Sequence, residues 1–399
     1  MRTVGIIAEY NPFHKGHKYH IDETRWQTGC DYVIVVMSGA FTQRGEPALI
    51  DKWTRARMAL TEGADIVIEL PALFAVRSAD WFAMGGVGLL SSLGIVDGIS
   101  FGCETDDLPT LQFAADAFEA EPPQVVRAIK KNLKKGKSLA RARGEVLAEY
   151  LNVEPSVLNA PNTALALEYM RANDRLLRPM QLFAVKRKGD YCSKELSEFA
   201  SAGAIRLALH EGRREEALSC LPEGAALLLR DMESTMFADP TGLDNLLLDR
   251  LRTMDKEELM GICDVTEGLE DRILRCAEAA PTRSDLLKAL KCKRYTMARL
   301  SRICTGALLS IDNDLASTYP SPPYARLLGF RESARPLLRE ISENAQIPFV
   351  SNVKAIVDHP CFRLERRATD LWALCTKHPQ TRRARRDFTE RMIVVKEER

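Results

Sequence analysis

A chain of 399 residues, 46% hydrophobic and 28% charged, can bury a large core and is more naturally two folded units than one. With 56 Lys and Arg against 55 Asp and Glu, overall charge selects no partner, so only local clusters can speak for one. No apolar run approaches the roughly 18 residues of a membrane span, and ten cysteines without a CxxC pair argue against both a disulfide scaffold and a zinc ribbon.

Residues 4–8 (VGIIA) read as a short buried strand, followed by the ring-rich turn EYNPFHKGH and a helix from near Gly16 to around Gly29. The apolar run 32–37 (YVIVVM) is the next strand. After the loop AFTQRGEPA, residues 49–62 have helical periodicity, with Trp53, Ala56, Ala59 and Leu60 near one face. IVIEL at 66–70, a helix at 78–93 and IVDGISF at 95–101 complete the pattern, closed by Gly102. Apolar strands separated by helices indicate an α/β fold, a Rossmann-like parallel sheet covered on both faces. Right-handed crossovers put the strands' carboxyl ends on one edge, where ligands of such sheets bind. Residues 107–150 look helical and basic, 161–172 helical, 179–187 a returning strand and 201–212 a helix. From 213 to 312 only amphipathic helices are expected, then a helical pair over 321–345; VSNVKAIV and the tail are left unassigned. The expected division is an α/β catalytic domain over 1–212, with 107–150 as a basic helical insertion, and a mainly helical domain over 213–399. The opening MRTVGIIAEYNPFH lacks the features of a secretory signal, so a cytoplasmic protein with reduced, mostly buried thiols is expected.

Charge is concentrated locally. Between Arg127 and Arg143 lie eight basic residues and no acid, Lys130, Lys131, Lys134 and Lys135 among them. KCKRYTMARLSR at 291–302 holds Lys291, Lys293, Arg294 and Arg299, and the tail adds RLERR at 363–367 and RRARR at 382–386. Any one run reads equally as solvated surface; together they suggest a positive field facing a polyanion. Tandem aromatics are scarce, which argues against a single-strand stacking platform and for a folded RNA.

The most informative stretch is IAEYNPFHKGHKYH, Ile7 to His20. His14 and His17, three residues apart, flank the mouth of the first helix, where four unpaired backbone N–H groups and the dipole favour a triphosphate. Imidazolium or neutral N–H donors there would stabilise charge on a leaving pyrophosphate, and Gly16 permits close approach to the backbone. Two other readings stay open: a chance cluster on a surface turn, and a metal held by His14, His17 and His20, which lacks an obvious fourth ligand.

These residues resemble the HxGH nucleotidyltransferase signature. The wider set, GIIAEYNPFHKGHKYH at 5–20, VMSGAFTQRGEPALIDKWTRA at 36–56, ADIVIELP at 64–71, FGCE at 101–104, PNTALALEY at 161–169, SAGAIR at 201–206 and KRYTMARLSR at 293–302, resembles the bacterial tRNA(Met) cytidine acetate ligase family. The resemblance implies activation of acetate by ATP, with Mg2+ held mostly by phosphate and water and no dedicated protein metal ligands. Acetyl transfer to N4 of the wobble cytidine of elongator tRNA(Met) follows, with no role for membrane or DNA. It implies an ATP-binding loop of Ile7, Ala8, Glu9, Tyr10, Asn11, Pro12, Phe13, His14, Lys15, Gly16, His17, Lys18, Tyr19 and His20. Gly102, Asn162 and Arg187 match the remaining nucleotide positions, and Ser201 and Arg206 lie near phosphate. Asn162 both donates and accepts, Arg187 and Arg206 are phosphate forks or surface ion pairs, and Ser201 is a phosphate ligand or an ordinary N-cap.

In the loop FTQRGEPALIDKW, Arg44 and Lys52 are candidates to hold acetate or the adenylate, or else to pair locally with Glu46 and Asp51. Cys103 is expected to be a buried small residue and no nucleophile. Lys15, Gly203, Thr163 and the Cys of FGCE depart from the residues usual in the family. Two competing functions follow from the same residues: nucleotidyl transfer to a small phosphorylated metabolite, and a nucleotide- and RNA-binding module without catalysis.

Overall fold

The apolar runs near the start of the chain form the strands expected of them: β1 (Thr3–Ala8), β2 (Tyr32–Ser38), β3 (Ile66–Leu70), β4 (Gly98–Cys103) and β5 (Gln181–Lys186). The computed structural model describes residues 1–120, 122–137, 139–151, 158, 160–189, 195–266 and 268–396. The five strands are parallel in the order β5-β4-β1-β2-β3, so the strand order reverses at β1 and β4. Alternate side chains enter two cores. Val4, Ile6, Val33, Val35 and Val67 pack with Ile21, Trp53, Ala56 and Leu60 of the helices Lys15–Thr28 and Lys52–Thr61. Ile34, Val36, Ile66 and Ile68 pack on the other face with Phe82, Val87 and Leu90 of the helix Ala79–Ser92. Each such side chain contributes about 1.5–3 kcal/mol on burial, which is why continuous apolar runs mark strands covered on both sides.

The sheet does not end with the N-terminal half. Residues 325–331, expected to be helical, form β6 (Ala325–Arg331), antiparallel to β3. β7 (Phe349–Val350) and β8 (Ile393–Val395) pair with β6 in parallel. RLLGF fits a buried helix or a buried strand equally by period. Gly329 decides it, because a Cβ there would lie 2.7 Å from Ile393 and 2.8 Å from Leu60. A boundary at 212 therefore does not separate sheet from helices: the C-terminal half returns to complete the sheet. The helix Arg335–Asn344 is the expected second half of the 321–345 pair, and helices fill the stretch from Arg214 to Thr318 as expected. Among the described residues no helix is long and apolar enough to cross a membrane.

The returning segment is held by buried charge. Lys52 Nζ lies 2.6 Å from Glu69 and 2.7 Å from Asp387, and Arg326 Nη1 lies 2.8 Å and 2.6 Å from the same two carboxylates. The carboxyl of Glu365, on the helix Pro360–Leu374, accepts the Ala72 N–H beside them. Burial and the neighbouring Glu69 raise its pKa far above the usual carboxylate range. Trp372 of the same helix donates Nε1–H to the Ala48 carbonyl at 2.6 Å.

Candidate active site

The turn after β1 delivers His14 as the N-cap of the helix Lys15–Thr28, which stops at Gly29 in the left-handed region (φ 61°). The two histidines cap each other: His14 Nδ1 accepts the Gly16 N–H at 3.0 Å, and His17 Nδ1 accepts the His14 N–H at 3.2 Å. Their rings stack, 3.7 Å between centroids and 22° apart. This changes the chemistry of the helix mouth. Lys15 N–H donates to the Cys220 carbonyl and the N–H groups of His17 and Lys18 to the His14 carbonyl, so the backbone cradle expected there is occupied. What remains for an anion is the other edge of each ring. A neutral imidazole that accepts through Nδ1 carries its proton on Nε2, so both rings are Nε2–H donors.

They are neutral. Burial, helped by Arg187 and Arg206, pulls His14 down to about 3, and burial with His14 as neighbour pulls His17 well below its ordinary value. Burial thus favours the neutral imidazole over the imidazolium at both positions. His20 is also pulled down, to about 4, by burial, and its Nε2 is engaged with Ser100 Oγ of β4 at 2.9 Å. Thr24 Oγ1 joins that hydroxyl at 2.7 Å, so His20 ties the helix to the sheet.

Gly16, His17, Tyr19, His20, Gly102, Val185, Arg187 and Lys188 line one cleft, beyond the carboxyl ends of β1, β4 and β5. The Arg187 stem covers Gly102, where a Cβ would lie 3.5 Å from its Cγ. Arg187 Nη1 donates to Asn162 Oδ1 at 3.3 Å, and Asn162 Nδ2 donates to Glu104 at 2.7 Å. Glu104 also accepts Thr163 N–H (2.9 Å) and Thr163 Oγ1–H (2.8 Å), closing the N-terminus of the helix Pro161–Asp174. Thr163, one of the departures, therefore has a local use. Ser201 Oγ accepts the Ala204 N–H at 3.1 Å as the N-cap of the helix Ala202–His210, and Arg206 of that helix donates to the Asn11 carbonyl at 2.6 Å. Gly203 is exposed, with only Ser201 Oγ near it.

Three residues gain roles that spacing could not supply. Glu104 positions Asn162. Arg55, fully buried, donates to the carbonyls of Glu9 (2.7 Å), Ser38 (2.9 Å), Ile50 (3.1 Å) and Gly39, pinning the ends of β1 and β2. Glu9 accepts the Gln43 N–H at 2.5 Å; burial raises its pKa against the pull of that N–H and of Arg206, Arg55 and Arg44. Arg44 is exposed on the loop rim. Lys52 is not at the cleft: it is 1% exposed and held in the ion cluster, so it is no acetate ligand in this geometry. Cys103 is 0% exposed, its thiol pushed up to about 12 by burial, which leaves no thiolate to attack anything.

The basic clusters divide. Lys130, Lys131, Lys134 and Lys135 are exposed on and after the helix Pro123–Lys134, whose Val125 and Ile129 face inward. Lys293 crosses the turn that follows, its Cδ 3.6 Å from where a Cβ on Gly136 would stand, so the 130–135 and 291–299 clusters adjoin. Lys293 and Arg294 are exposed; Lys291 donates to the Tyr295 carbonyl at 2.8 Å, and Arg299 to Asp264 O and Thr266 at 2.8 and 2.6 Å. Two arginines of the tail run are engaged within the chain: Arg382 donates to the Leu374 and Thr376 carbonyls, and Arg386 lies over Trp53 and Trp372 while pairing with Glu390 and Asp51. Among the described residues no group of three or more His, Cys, Asp or Glu is placed to hold a metal.

A family model described as HIGH Nucleotidyl Transferase matches residues 1–387. A tRNA(Met) cytidine acetate ligase of Clostridium perfringens is 38% identical over 94% of this chain and 95% of its own length. One of Acetivibrio thermocellus is 35% identical over 99% and 100%. The crystal structure of Thermotoga maritima TmcAL bound with alpha-thio ATP matches all of both chains with a TM-score of 0.90 at 32% identity. With a family model matched over most of its length and relatives of this identity covered almost end to end, the chain belongs to the tRNA(Met) cytidine acetate ligase family of HIGH nucleotidyl transferases.

Proposed function

We propose that the chain is an ATP-dependent ligase that activates acetate as acetyl-adenylate and acetylates N4 of the wobble cytidine in elongator tRNA(Met). The observation that carries this is the pair of neutral Nε2–H donors on His14 and His17, set beside Arg187 and Arg206 where the strand order reverses. An acetate oxygen attacks the α-phosphorus and pyrophosphate leaves. The imidazole N–H groups and the two guanidinium groups are preorganised for the charge that grows on the phosphate oxygens, without a proton having to move first. The cytidine amine then attacks the acetyl carbonyl, AMP departs and the amine loses its proton; no acyl-enzyme is needed, in keeping with a buried Cys103. Magnesium would enter on the triphosphate and offset its charge, held mainly by phosphate and water.

The acetate ligand is sought at Arg44 and Arg206 instead of Lys52. The tRNA backbone would lie on the joined surface of Lys130, Lys131, Lys134, Lys135, Lys293 and Arg294, with Lys291 and Arg299 shaping its edge. Such a substrate puts the enzyme in the cytoplasm. Nucleotidyl transfer to a small metabolite leaves this surface without a role. Incubation with labelled acetate, ATP, magnesium and total tRNA, then digestion, should yield labelled N4-acetylcytidine. Neither label in tRNA nor acetate-dependent exchange of pyrophosphate into ATP, from folded protein, would overturn the reading.

A further inference from the structure

The loop between β2 and the helix Lys52–Thr61 is closed on itself by Phe41 bridging Pro47, Thr42 N–H to Glu46 O at 2.9 Å and Gly45 N–H to Thr42 O at 2.9 Å. Its tip is fastened to the C-terminal half through the Gly45 carbonyl, in addition to the Trp372 and Ala238 N–H groups that hold the Ala48 and Leu49 carbonyls after it. The Gly45 carbonyl accepts Thr305 Oγ1–H at 2.6 Å, Ser301 Oγ–H at 3.3 Å and an Arg283 Nη2–H at 3.3 Å, all from side chains no more than 7% exposed. A carbonyl has two lone pairs, so three donors saturate it. Gly45 itself has φ +73°, and a Cβ there would stand 2.8 Å from Arg302 Cα and 2.9 Å from the Ser301 carbonyl carbon. Backbone conformation and close approach to the helix Met297–Leu309 both demand glycine. The same loop meets the residue after β1: Gln43 N–H donates to Glu9, and Gln43 Nε2–H to the Arg77 carbonyl at 2.8 Å.

We infer that Thr305, assisted by Ser301 and Arg283, is a positioning residue for the reaction: by holding the Gly45 carbonyl it fixes the loop whose Gln43 N–H holds the Glu9 carboxylate at the end of β1. The inference rests on the acetate ligase reading, because its readout is acetyl transfer. Glu9 faces Arg206 of the helix Ala202–His210, Arg55 of the helix Lys52–Thr61 and Arg44 of the loop, with Tyr169 of the helix Pro161–Asp174 also facing it, while Arg55 has Asp51 and Glu69 as further counter-charges. Of the influences on Glu9, burial raises its pKa and the Gln43 N–H is the first to oppose it. A loosened loop weakens that hydrogen bond, so the carboxyl protonates at higher pH and Arg206 and Arg44 lose a counter-charge, while Arg55 keeps Asp51 and Glu69. Thr305 lies one turn beyond Ser301 on the helix whose N-terminal end carries Arg299, so one helix holds the loop at one place and borders the basic surface at another.

The test is acetyl transfer to tRNA by the full chain across acidic and neutral pH, for Thr305→Val, Thr305→Ser and Ser301→Ala. Valine keeps the shape and removes the hydroxyl; serine keeps the hydroxyl. The expected result is a loss of about tenfold for Thr305→Val, with the acidic limb of its profile moved to higher pH, and near-wild-type behaviour for Thr305→Ser. Ser301→Ala should move the limb the same way by less, and gives the answer alone if Thr305→Val does not fold. A rate and limb in Thr305→Val indistinguishable from wild type would overturn the inference. So would a Thr305→Ser enzyme as slow as the valine variant, or an unaltered Ser301→Ala enzyme. If instead wild-type protein shows no acetate-dependent pyrophosphate exchange, it is the parent reading that fails.

Discussion

His14 has two nitrogens with different jobs: Nδ1 caps the helix, and Nε2 carries the proton that is left to donate. The jobs are separable. In His14→Asn the side-chain oxygen can stand in for Nδ1 as a cap, while nothing replaces Nε2–H. The melting temperature should hold within a few degrees, and acetate-dependent pyrophosphate exchange should fall by about 10²-fold. Equal losses of stability and activity would refute the division. The same rings fix a pH response. With folded values of about 3 for His14 and about 4 for His20, against about 6.5 unfolded, the unfolded chain binds protons the folded one refuses. Their contribution is whole above about pH 6.5 and is lost as pH falls through that value towards the folded ones, by up to about 1.4 kcal/mol per histidine per pH unit. Raised carboxyls such as Glu9 and Glu365 act in the opposite sense. The effect is therefore read as a difference, with urea unfolding of His14→Asn less sensitive to acid than that of wild type.

One turn of helix shows what sequence can and cannot announce. Pro161 at the start of the helix Pro161–Asp174 is legible, as is Asn162 as a polar residue near its mouth. The carboxylate that closes this mouth stands 58 residues earlier, on the far side of the basic helices, and no local pattern links the two. Glu104→Gln keeps an acceptor and removes the charge that the helix dipole favours. It should cost about 1 kcal/mol and, by freeing Asn162, raise the KM for ATP several-fold with little change in kcat. An unchanged KM would show Asn162 to be placed by other means. The parallel strands and the HxGH turn were readable for the same reason Pro161 was: each writes its signal within a few consecutive residues. Lys52 misled because a lysine in a polar loop looks free, whereas its partners Glu69 and Asp387 arrive from β3 and from the far end of the chain. β6 misled because a short, mostly apolar run fits either period, and contact with Ile393 and Leu60 explains its glycine.

Across the whole molecule, the joined basic surface makes a salt-dependent prediction. Reversing Lys130, Lys131, Lys134 and Lys135 to Glu should weaken tRNA binding by at least about tenfold and flatten the dependence of affinity on salt, because fewer counterions are released. ATP–pyrophosphate exchange without tRNA should stay at its wild-type rate. An unaltered salt slope would mark these lysines as solvated surface. The ion cluster makes a second prediction. Lys52→Ala should destabilise the fold by about 3–5 kcal/mol, since Glu69 and Asp387 are then left sharing Arg326, whereas Lys52→Met, which fills the space, should do less harm if Asp387→Leu accompanies it. Urea unfolding of the three proteins decides it.

Because Asp387 and β8 follow every residue of the cleft in the sequence, a ribosome has already released the whole cleft before these partners of Lys52, Arg326 and β6 exist. A stop codon ahead of residue 387 would leave two cations beside one carboxylate in a dry interior and an unpaired strand edge at Gly329. Such a product should be cleared by proteolysis in place of surviving as a weak enzyme, so nonsense changes in the tail would behave as full nulls even though they spare every residue of the cleft.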